Sequence, residues 1–375
     1  YMGKEPKDLT IEESALFVGM LKNPALFNPT KEKRKEKVFN RRNTVLDQMV
    51  KNKYLSEGKA AQLKKLPVKI NFKPESHAEG TATYFREYLR ESLKPIIKAI
   101  EEEKGEEIDL YTAGLKIYTT VDSRMQQYAE EAVEEHLSNL QPEFNRRQKN
   151  NPTAPFLDIT PEETQKIMNQ AMKNSERWRI MSINGKSDAE IKQSFEVPAK
   201  MKIFTWKGER DTIMKPKDSI LYYKHFLQTG MMAMEPQTGH VKAWVGGINY
   251  KYFQYDHVGQ GARQVGSTFK PFVYATAIDR LGKSPCDMIM DSPFTILKGD
   301  NNDKDWTPNN SDGKFRGLVS MKKALANSIN TVSARLIHEV GAPAVVEMTK
   351  NLGVTSDIPN RPAIALGAVE ITVEE

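Results

Sequence analysis

The hydrophobic residues of this chain change period near residue 228, and that change excludes one uniform fold for the 375 residues. Before it the pattern is mostly helical. Thr10-Ile11-Glu12-Glu13, Thr160-Pro161-Glu162-Glu163 and Ser187-Asp188-Ala189-Glu190 each place a hydroxyl residue three positions ahead of a glutamate, the spacing of a helix-opening capping box. After it, Met231–Met234 and His240–Trp244 flank the turn Pro236-Gln237-Thr238-Gly239, which reads as a β-hairpin ended by Gly246-Gly247. Helical patterns follow over 267–281 and 320–340. An antiparallel sheet with helices packed on it, an α+β architecture, is expected from 228 onward.

Upstream, helices are expected from Thr10 to Asn23-Pro24, around Val38, Arg42, Val45 and Met49, and from Ser56 to Leu66, where Pro67 closes the segment. Phe85, Leu89, Leu93, Ile96 and Ile100 mark a longer helix. Leu115, Ile117 and Thr119 alternate as a strand. Asp122 then caps a helix whose apolar face is Met125, Tyr128, Ala129, Ala132, Val133, His136 and Leu140, with His136 packed or snorkelling. Residues 141–157 read as a polar linker ahead of a small helical insert over 160–196. The length suggests two or three domains, and the pattern divides them at 1–75, 76–227 and 228–375.

Charge is unevenly placed. The chain holds 55 Lys and Arg against 49 Asp and Glu, a net +6, yet residues 1–75 alone hold 17 against 9, a local +8. The densest run is Lys31, Lys33, Arg34, Lys35 and Lys37, followed by Arg41 and Arg42. Such a run suits an anionic membrane surface or a phosphate-bearing substrate. A solvated helix face is the alternative, since Glu32 and Glu36 are interleaved. No aromatic residues alternate with these cations, so nucleic acid is not expected as a partner. The single cysteine, Cys286, excludes a disulfide framework and cysteine-based metal sites. The six histidines (His77, His136, His225, His240, His257 and His338) show no metal-ligand spacing. No apolar stretch approaches the roughly 18 residues of a spanning helix. Neither end looks like a natural terminus, so a piece of a longer chain is expected.

One position carries nucleophile chemistry. Ser267-Thr268-Phe269-Lys270 follows Gly266 and opens an apolar helix. Serine needs an adjacent base at neutral pH, and a lysine three residues on lies on the same helix face. Three more Ser-x-x-Lys matches begin at Ser56, Ser311 and Ser320, but they read as caps or loop residues. Ser328-Ile329-Asn330 lies 61 residues after Ser267, where a hydroxyl could relay a proton and an amide could hold a substrate. Ser182-Ile183-Asn184 matches the same pattern but precedes Ser267. Asp256 and Asp312 could serve as bases, though nothing in their spacing demands it.

These two elements, in this order, resemble the signature of penicillin-binding proteins and serine β-lactamases. Arg263-Gln264-Val265-Gly266-Ser267-Thr268-Phe269-Lys270-Pro271-Phe272 resembles the active-site segment of class A penicillin-binding proteins, with Val265 where proline is common. Met234–Ala243 resembles their first transpeptidase hairpin. Trp306-Thr307-Pro308-Asn309-Asn310, Ala365-Leu366-Gly367 and Gly114–Asp122 are also similar to segments of that family. Tyr1-Met2-Gly3-Lys4, Leu9–Glu13, Asn28-Pro29 and Arg41–Leu46 resemble the closing segment of a family 51 glycosyltransferase.

The resemblance implies a bifunctional class A penicillin-binding protein whose glycosyltransferase glutamates lie upstream of Tyr1. The third transpeptidase motif, Lys-Thr-Gly, is absent and is expected beyond Glu375, so residues 1–375 alone are expected to be inactive. By resemblance Ser267 is the nucleophile, Lys270 its base and Ser328 the proton relay. Asn330 would bind the stem peptide, and Arg41 and Arg42 the lipid II pyrophosphate. No metal or organic cofactor is implied. The implied partners are peptidoglycan stem peptides, lipid II, β-lactam antibiotics and wall-assembly proteins. An N-terminal anchor outside these residues would hold the protein at the extracytoplasmic face of the membrane. A β-lactamase, or a non-catalytic β-lactam sensor or scaffold, are the rival readings.

Overall fold

A computed structural model describes residues 1–72, 80–110, 113–299 and 304–375, and His77 lies outside them. The chain divides into two compact units, Tyr1–Glu79 and Gly80–Glu375. No helix among the described residues is long and apolar enough to cross a membrane.

The first unit consists of α1 (Ile11–Leu21), α2 (Lys35–Lys51) and α3 (Glu57–Lys65). α1 opens as the capping box predicts, with the Glu13 carboxylate accepting from the Thr10 N–H at 2.9 Å. Gly19 lets α1 approach α2, since a Cβ there would stand 3.2 Å from Arg41 Cγ. Leu16 and Met20 pack on Val38, and Ala15 packs on Val45 and Leu46.

Among its described residues the second unit contains ten α-helices: α4 (Thr83–Lys104), α5 (Ser123–Gln148), α6 (Pro161–Lys173), α7 (Glu176–Ile183), α8 (Asp188–Ser194), α9 (Pro216–Lys224), α10 (Lys270–Leu281), α11 (Met321–Ala326), α12 (Asn330–Val340) and α13 (Ala342–Asn351). Its strands form four antiparallel pairs. β1 (Ala199–Ile203) pairs with β2 (Arg210–Met214), and β3 (Met231–Met234) with β4 (Val241–Val245). β5 (Arg263–Gln264) pairs with β8 (Glu370–Ile371), and β6 (Met288–Asp291) with β7 (Gly317–Ser320). The expected α+β class holds, as helices on small antiparallel pairs.

Five local expectations are corrected. The sheet is expected from 228 onward, yet β1 and β2 already pair over Ala199–Ile203 and Arg210–Met214. The alternation at Leu115, Ile117 and Thr119 makes no strand. The edge of β4 it would join is already engaged: Asp122 N–H donates to Lys242 O, and the Gln126 side chain both donates to Trp244 O and accepts from Trp244 N–H. The apolar face of α5 is rotated for the same reason. Gln126, Ala129, Val133, Leu137 and Gln141 are buried, while Met125, Tyr128, His136 and Leu140 are exposed. A face chosen by hydrophobicity alone misses glutamines that bond to backbone. The supposed linker from 141 is helical to Gln148, with Pro142 inside the helix. Finally, the single helix expected over 320–340 breaks into α11 and α12.

α4 and α5 both pack on the β3–β4 hairpin. α5 contributes Ala129, Val133 and Leu137 against Ala243 and Val245. α4 contributes Tyr84, which is buried with Trp244 and Val258. The Tyr84 hydroxyl donates to Phe253 O at 2.5 Å, which locks the ring over the strand end. Gly247 exists for that ring, because a Cβ there would stand 2.5 Å from Tyr84 Oη. The capped insert α6–α8 closes on Met172, Trp178, Ile191 and Phe195.

Gly247→Ala is expected to cost about 1–3 kcal/mol, the usual range for overpacking. The loss should shrink when Tyr84→Phe is added, because the hydroxyl that the new methyl meets is then gone. A double-mutant cycle by chemical unfolding measures this, and purely additive effects would refute the contact.

Candidate active site

The largest core of the second unit is built around α10. Phe269, Val273, Tyr274 and Ala277 interlock with Val332, Leu336 and Ile337 of α12 and Val345 of α13. Into this apolar setting α10 carries Lys270 at its first position, with a relative exposure of 0%. A buried amine needs acceptors. The Nζ donates to Ser328 O at 2.7 Å, to Ser328 Oγ at 3.0 Å and to Asn330 Oδ1 at 2.6 Å. Burial pushes the amine down from its ordinary 10.5 to about 8, since desolvation disfavours the charged form.

Ser328 is delivered by the break between α11 and α12. The Ile329 N–H bonds to Ala324 O at 2.9 Å and the Ser328 N–H to Leu325 O at 3.0 Å. This pattern is a Schellman motif, whose penultimate residue takes the left-handed conformation and is usually glycine. Here it is Ser328, at φ +52°. A serine in that conformation is strained by the order of 1 kcal/mol, and the strained turn aims both its hydroxyl and its carbonyl at Lys270. Asn330 follows as the first residue of α12, with its Nδ2 donating to Asn309 O at 2.8 Å. Both ends of the Asn330 amide are therefore engaged, and its oxygen orients Lys270.

Ser267 stands three residues before Lys270 in a short 3-10 turn, Gly266–Phe269. It is exposed, and among the described residues its Oγ has no hydrogen-bond partner. The turn is clamped from the other side of the chain. Gly266 N–H donates to Gly367 O at 3.2 Å and Val265 N–H to Val369 O at 3.1 Å, continuing the β5–β8 pairing. Gly367 has φ +72°, and a Cβ on it would fall on the Gly266 backbone. That is why the Ala365-Leu366-Gly367 segment needs glycine.

The structure thus brings Lys270, Ser328 and Asn330 into contact and sets Ser267 in the exposed turn that leads into Lys270. Arg41 and Arg42 lie in the first unit. Arg42 is 1% exposed. It donates to Leu66 O at 2.8 Å, to Lys64 O at 3.1 Å and to Asn43 Oδ1, so it ties α2 to the end of α3. Arg41 donates to Gly19 O at 3.2 Å and lies over Phe27. Lys35, Lys65 and Lys69 are exposed and line a cleft of about 1010 Å³ together with Glu32, Glu36, Val38, Phe39 and Ile70. Asp256 is a structural acid, accepting from the Trp244 indole at 3.0 Å and from Val258 N–H. Asp312 is exposed and pairs with Arg316. Ser320 caps α11.

Sequence reasoning missed Asp291, Asn310 and Thr331, which lie buried beside Asn330. The segment Trp306–Asn310 was the available signal for Asn310. Nothing in the local sequence marks Asp291.

Comparison with known proteins follows the same order along the chain. Three family models match: Transglycosylase over residues 1–50, Penicillin-binding protein middle domain over 151–227, and Penicillin binding protein transpeptidase domain over 229–361. The chain is 29% identical to penicillin-binding protein 1A of Rickettsia bellii over 397 residues, covering 100% of this chain and 48% of that protein. Similarity to penicillin-binding protein 1A of Vibrio cholerae is also 29%, over 413 residues, covering 99% and 48%. The chain therefore spans about half the length of the curated relatives it matches. Its fold is similar to the crystal structure of penicillin-binding protein 1A from Haemophilus influenzae, with a TM-score of 0.57, 24% identity, and coverage of 100% of this chain and 56% of that one.

Two measurements test the geometry without any assay of activity. Lys270 binds its proton more weakly folded than unfolded, so between about 8 and 10.5 the unfolded chain holds a proton the fold does not. Its contribution to stability rises with pH across that window and is lost as pH falls through about 8. The unfolding free energy of the native protein should gain on that of Lys270→Met from pH 8 to 10.5, and a constant difference would refute the shift. Separately, Ser328→Gly should be more stable than Ser328→Ala by about 1 kcal/mol, because only glycine relieves the left-handed backbone. Equal melting of the two variants would remove the strain argument.

Proposed function

The chain belongs to the penicillin-binding proteins that join a transglycosylase to a transpeptidase, and on that premise we propose that the whole protein builds peptidoglycan, polymerising lipid II and cross-linking stem peptides through a serine acyl-enzyme. One observation carries the transpeptidase part. A fully buried lysine, its affinity for protons lowered, contacts a serine hydroxyl and follows an exposed, unbonded serine by three residues. At its ordinary 10.5 the amine would be almost wholly protonated near neutral pH, whereas at about 8 a usable fraction is neutral and can accept a proton.

In this reading the Ser267 Oγ attacks the carbonyl carbon of the D-Ala-D-Ala bond in a stem peptide. Its proton passes to the neutral Lys270 amine as the C–O bond forms. The C–N bond then breaks, and the proton reaches the leaving nitrogen through Ser328 Oγ, so free D-Ala departs and an ester remains on Ser267. The amine of a neighbouring stem peptide attacks that ester. It returns its proton along the same path and regenerates the serine. A β-lactam undergoes the same first step, but its leaving nitrogen stays tethered to the acyl group. Asn330 takes the role of orienting Lys270 at this stage, beside its assigned contact with the donor peptide.

The rest of the chain takes its roles from the same reading. Residues 1–75 form the end of the glycosyltransferase domain, 76–227 the linker region with its helical insert, and 228–375 the first part of the transpeptidase. The exposed lysines of the first unit suit the diphosphate of lipid II. The protein works at the extracytoplasmic face of the membrane, held by an anchor outside these residues.

The test is labelling of the full-length protein with a fluorescent penicillin and mapping of the adduct. Label is expected on Ser267, with none in Ser267→Ala. Lys270→Met and Ser328→Ala should slow acylation by about 10²–10⁴, the range for losing a general acid–base group. The native rate should rise with pH through about 8 as Lys270 becomes neutral. An adduct on Ser311 or Ser320, or full labelling of Ser267→Ala, would overturn the assignment.

A further inference from the structure

α12 begins on the residue that contacts Lys270, yet its own N-cap is Ile329, which offers no side-chain acceptor. The first N–H groups of a helix need one. It comes from 20 residues away. Asn310 Oδ1 accepts from Asn330 N–H at 2.9 Å and from Thr331 N–H at 3.3 Å. Asn310 is in turn held by its Nδ2, which donates to Asp291 Oδ1 at 2.7 Å and to Lys314 O at 2.8 Å. The same Asp291 oxygen accepts from Thr331 Oγ1 at 2.6 Å, and its second oxygen accepts from Arg316 N–H at 2.9 Å.

We propose that Asn310, gripped by the buried Asp291 carboxylate, is the positioning residue that holds Asn330 against Lys270. It rests on the acyl-enzyme reading above and extends it to residues that touch no substrate. Two features support it. Asp291 and Asn310 are 0% and 6% exposed, and the cluster satisfies both carboxylate oxygens. The neighbouring carbonyl of Asn309 takes the Asn330 Nδ2, so the Asn330 oxygen, not its nitrogen, faces the lysine. Displacement of the 309–310 segment therefore loosens the backbone and the side-chain amide of Asn330 together. Around Lys270 the facing groups are Ser328 and Asn330, neither of them charged. Among the described residues the cation facing Asp291 is Arg316, at 3.6 Å, which also pairs with Asp312.

A group that merely stabilises the fold would lower the amount of active protein equally at every pH. A group that positions Asn330 changes the surroundings of the Lys270 amine. Releasing Asn330 takes a 2.6 Å acceptor from the buried Nζ, and an ammonium that loses an acceptor while it stays out of water deprotonates at lower pH.

The experiment compares native full-length protein with Asn310→Ala and Asp291→Asn. It records the penicillin acylation rate against pH, the melting temperature, and the titration of the Lys270 13Cε resonance. Asn310→Ala is expected to slow acylation by about 10–100-fold, the scale of a misplaced catalytic group, and to move both the kinetic and the resonance midpoints to lower pH. Asp291→Asn, which keeps the side-chain shape, should move them the same way by less. Midpoints left at the native pH in folded variants, whatever the rate, would overturn the proposal. If Asn310→Ala fails to fold, the midpoint in Asp291→Asn decides it alone. A native protein that never labels would sink the acyl-enzyme reading, while the resonance titration would still judge the brace.

Discussion

The site depends on one amine kept out of water. Lys270 sits at the start of α10, inside a core made of Phe269, Val273, Val332 and Leu336. The apolar surroundings lower its proton affinity, while Ser328 and Asn330 satisfy its hydrogen bonds. Remove the packing and the lysine becomes an ordinary cation. Remove the acceptors and it becomes a buried polar group without partners, costing several kcal/mol. Core and site cannot be separated here, because α10 supplies both.

Those acceptors come from a turn that is not at ease. Ser328 takes the left-handed position that glycine would fill more cheaply, and α12 starts on an isoleucine that cannot cap it. Each deficiency has a counterpart elsewhere. The Schellman hydrogen bonds hold the Ser328 backbone, and Asn310 caps the helix from a distant loop. Strain of this kind persists only where the surroundings over-determine it. On the opposite flank, Gly367 and Gly266 meet backbone to backbone, so the Ser267 turn is set by a pairing rather than by its own sequence.

The remaining parts of the second unit show the same division between local and distant causes. Helix starts at Thr160 and Ser187 follow from neighbouring residues, through hydroxyl and carboxylate bonds within four positions. The register of α5 follows instead from Gln126, which grips Trp244 across 118 positions. The hairpin tip at Gly246-Gly247 likewise answers to Tyr84, far upstream.

From the sequence came the capped insert, the β3–β4 hairpin and, by resemblance, the pairing of Ser267-x-x-Lys270 with Ser328-x-Asn330, while the β1–β2 pair before 228 was missed. The insert and the hairpin are short-range signals, written in hydroxyl caps, turn residues and periods of two or three and a half residues, whereas Ser267 and Ser328 stand 61 residues apart. The break at Ser328, the rotated face of α5, the missing strand at 115–119 and the core position of Arg42 were not legible there. Each depends on which groups compete for a backbone or side-chain partner across long stretches of chain. Asp291 is the clearest case. As a residue in a sequence it is one aspartate at a strand end, and only the fold surrounds it with Asn310, Thr331 and Arg316. Chemistry that rests on residue type was visible in the chain, and chemistry that rests on burial was decided by tertiary packing, because desolvation is a property of neighbours that the sequence does not place.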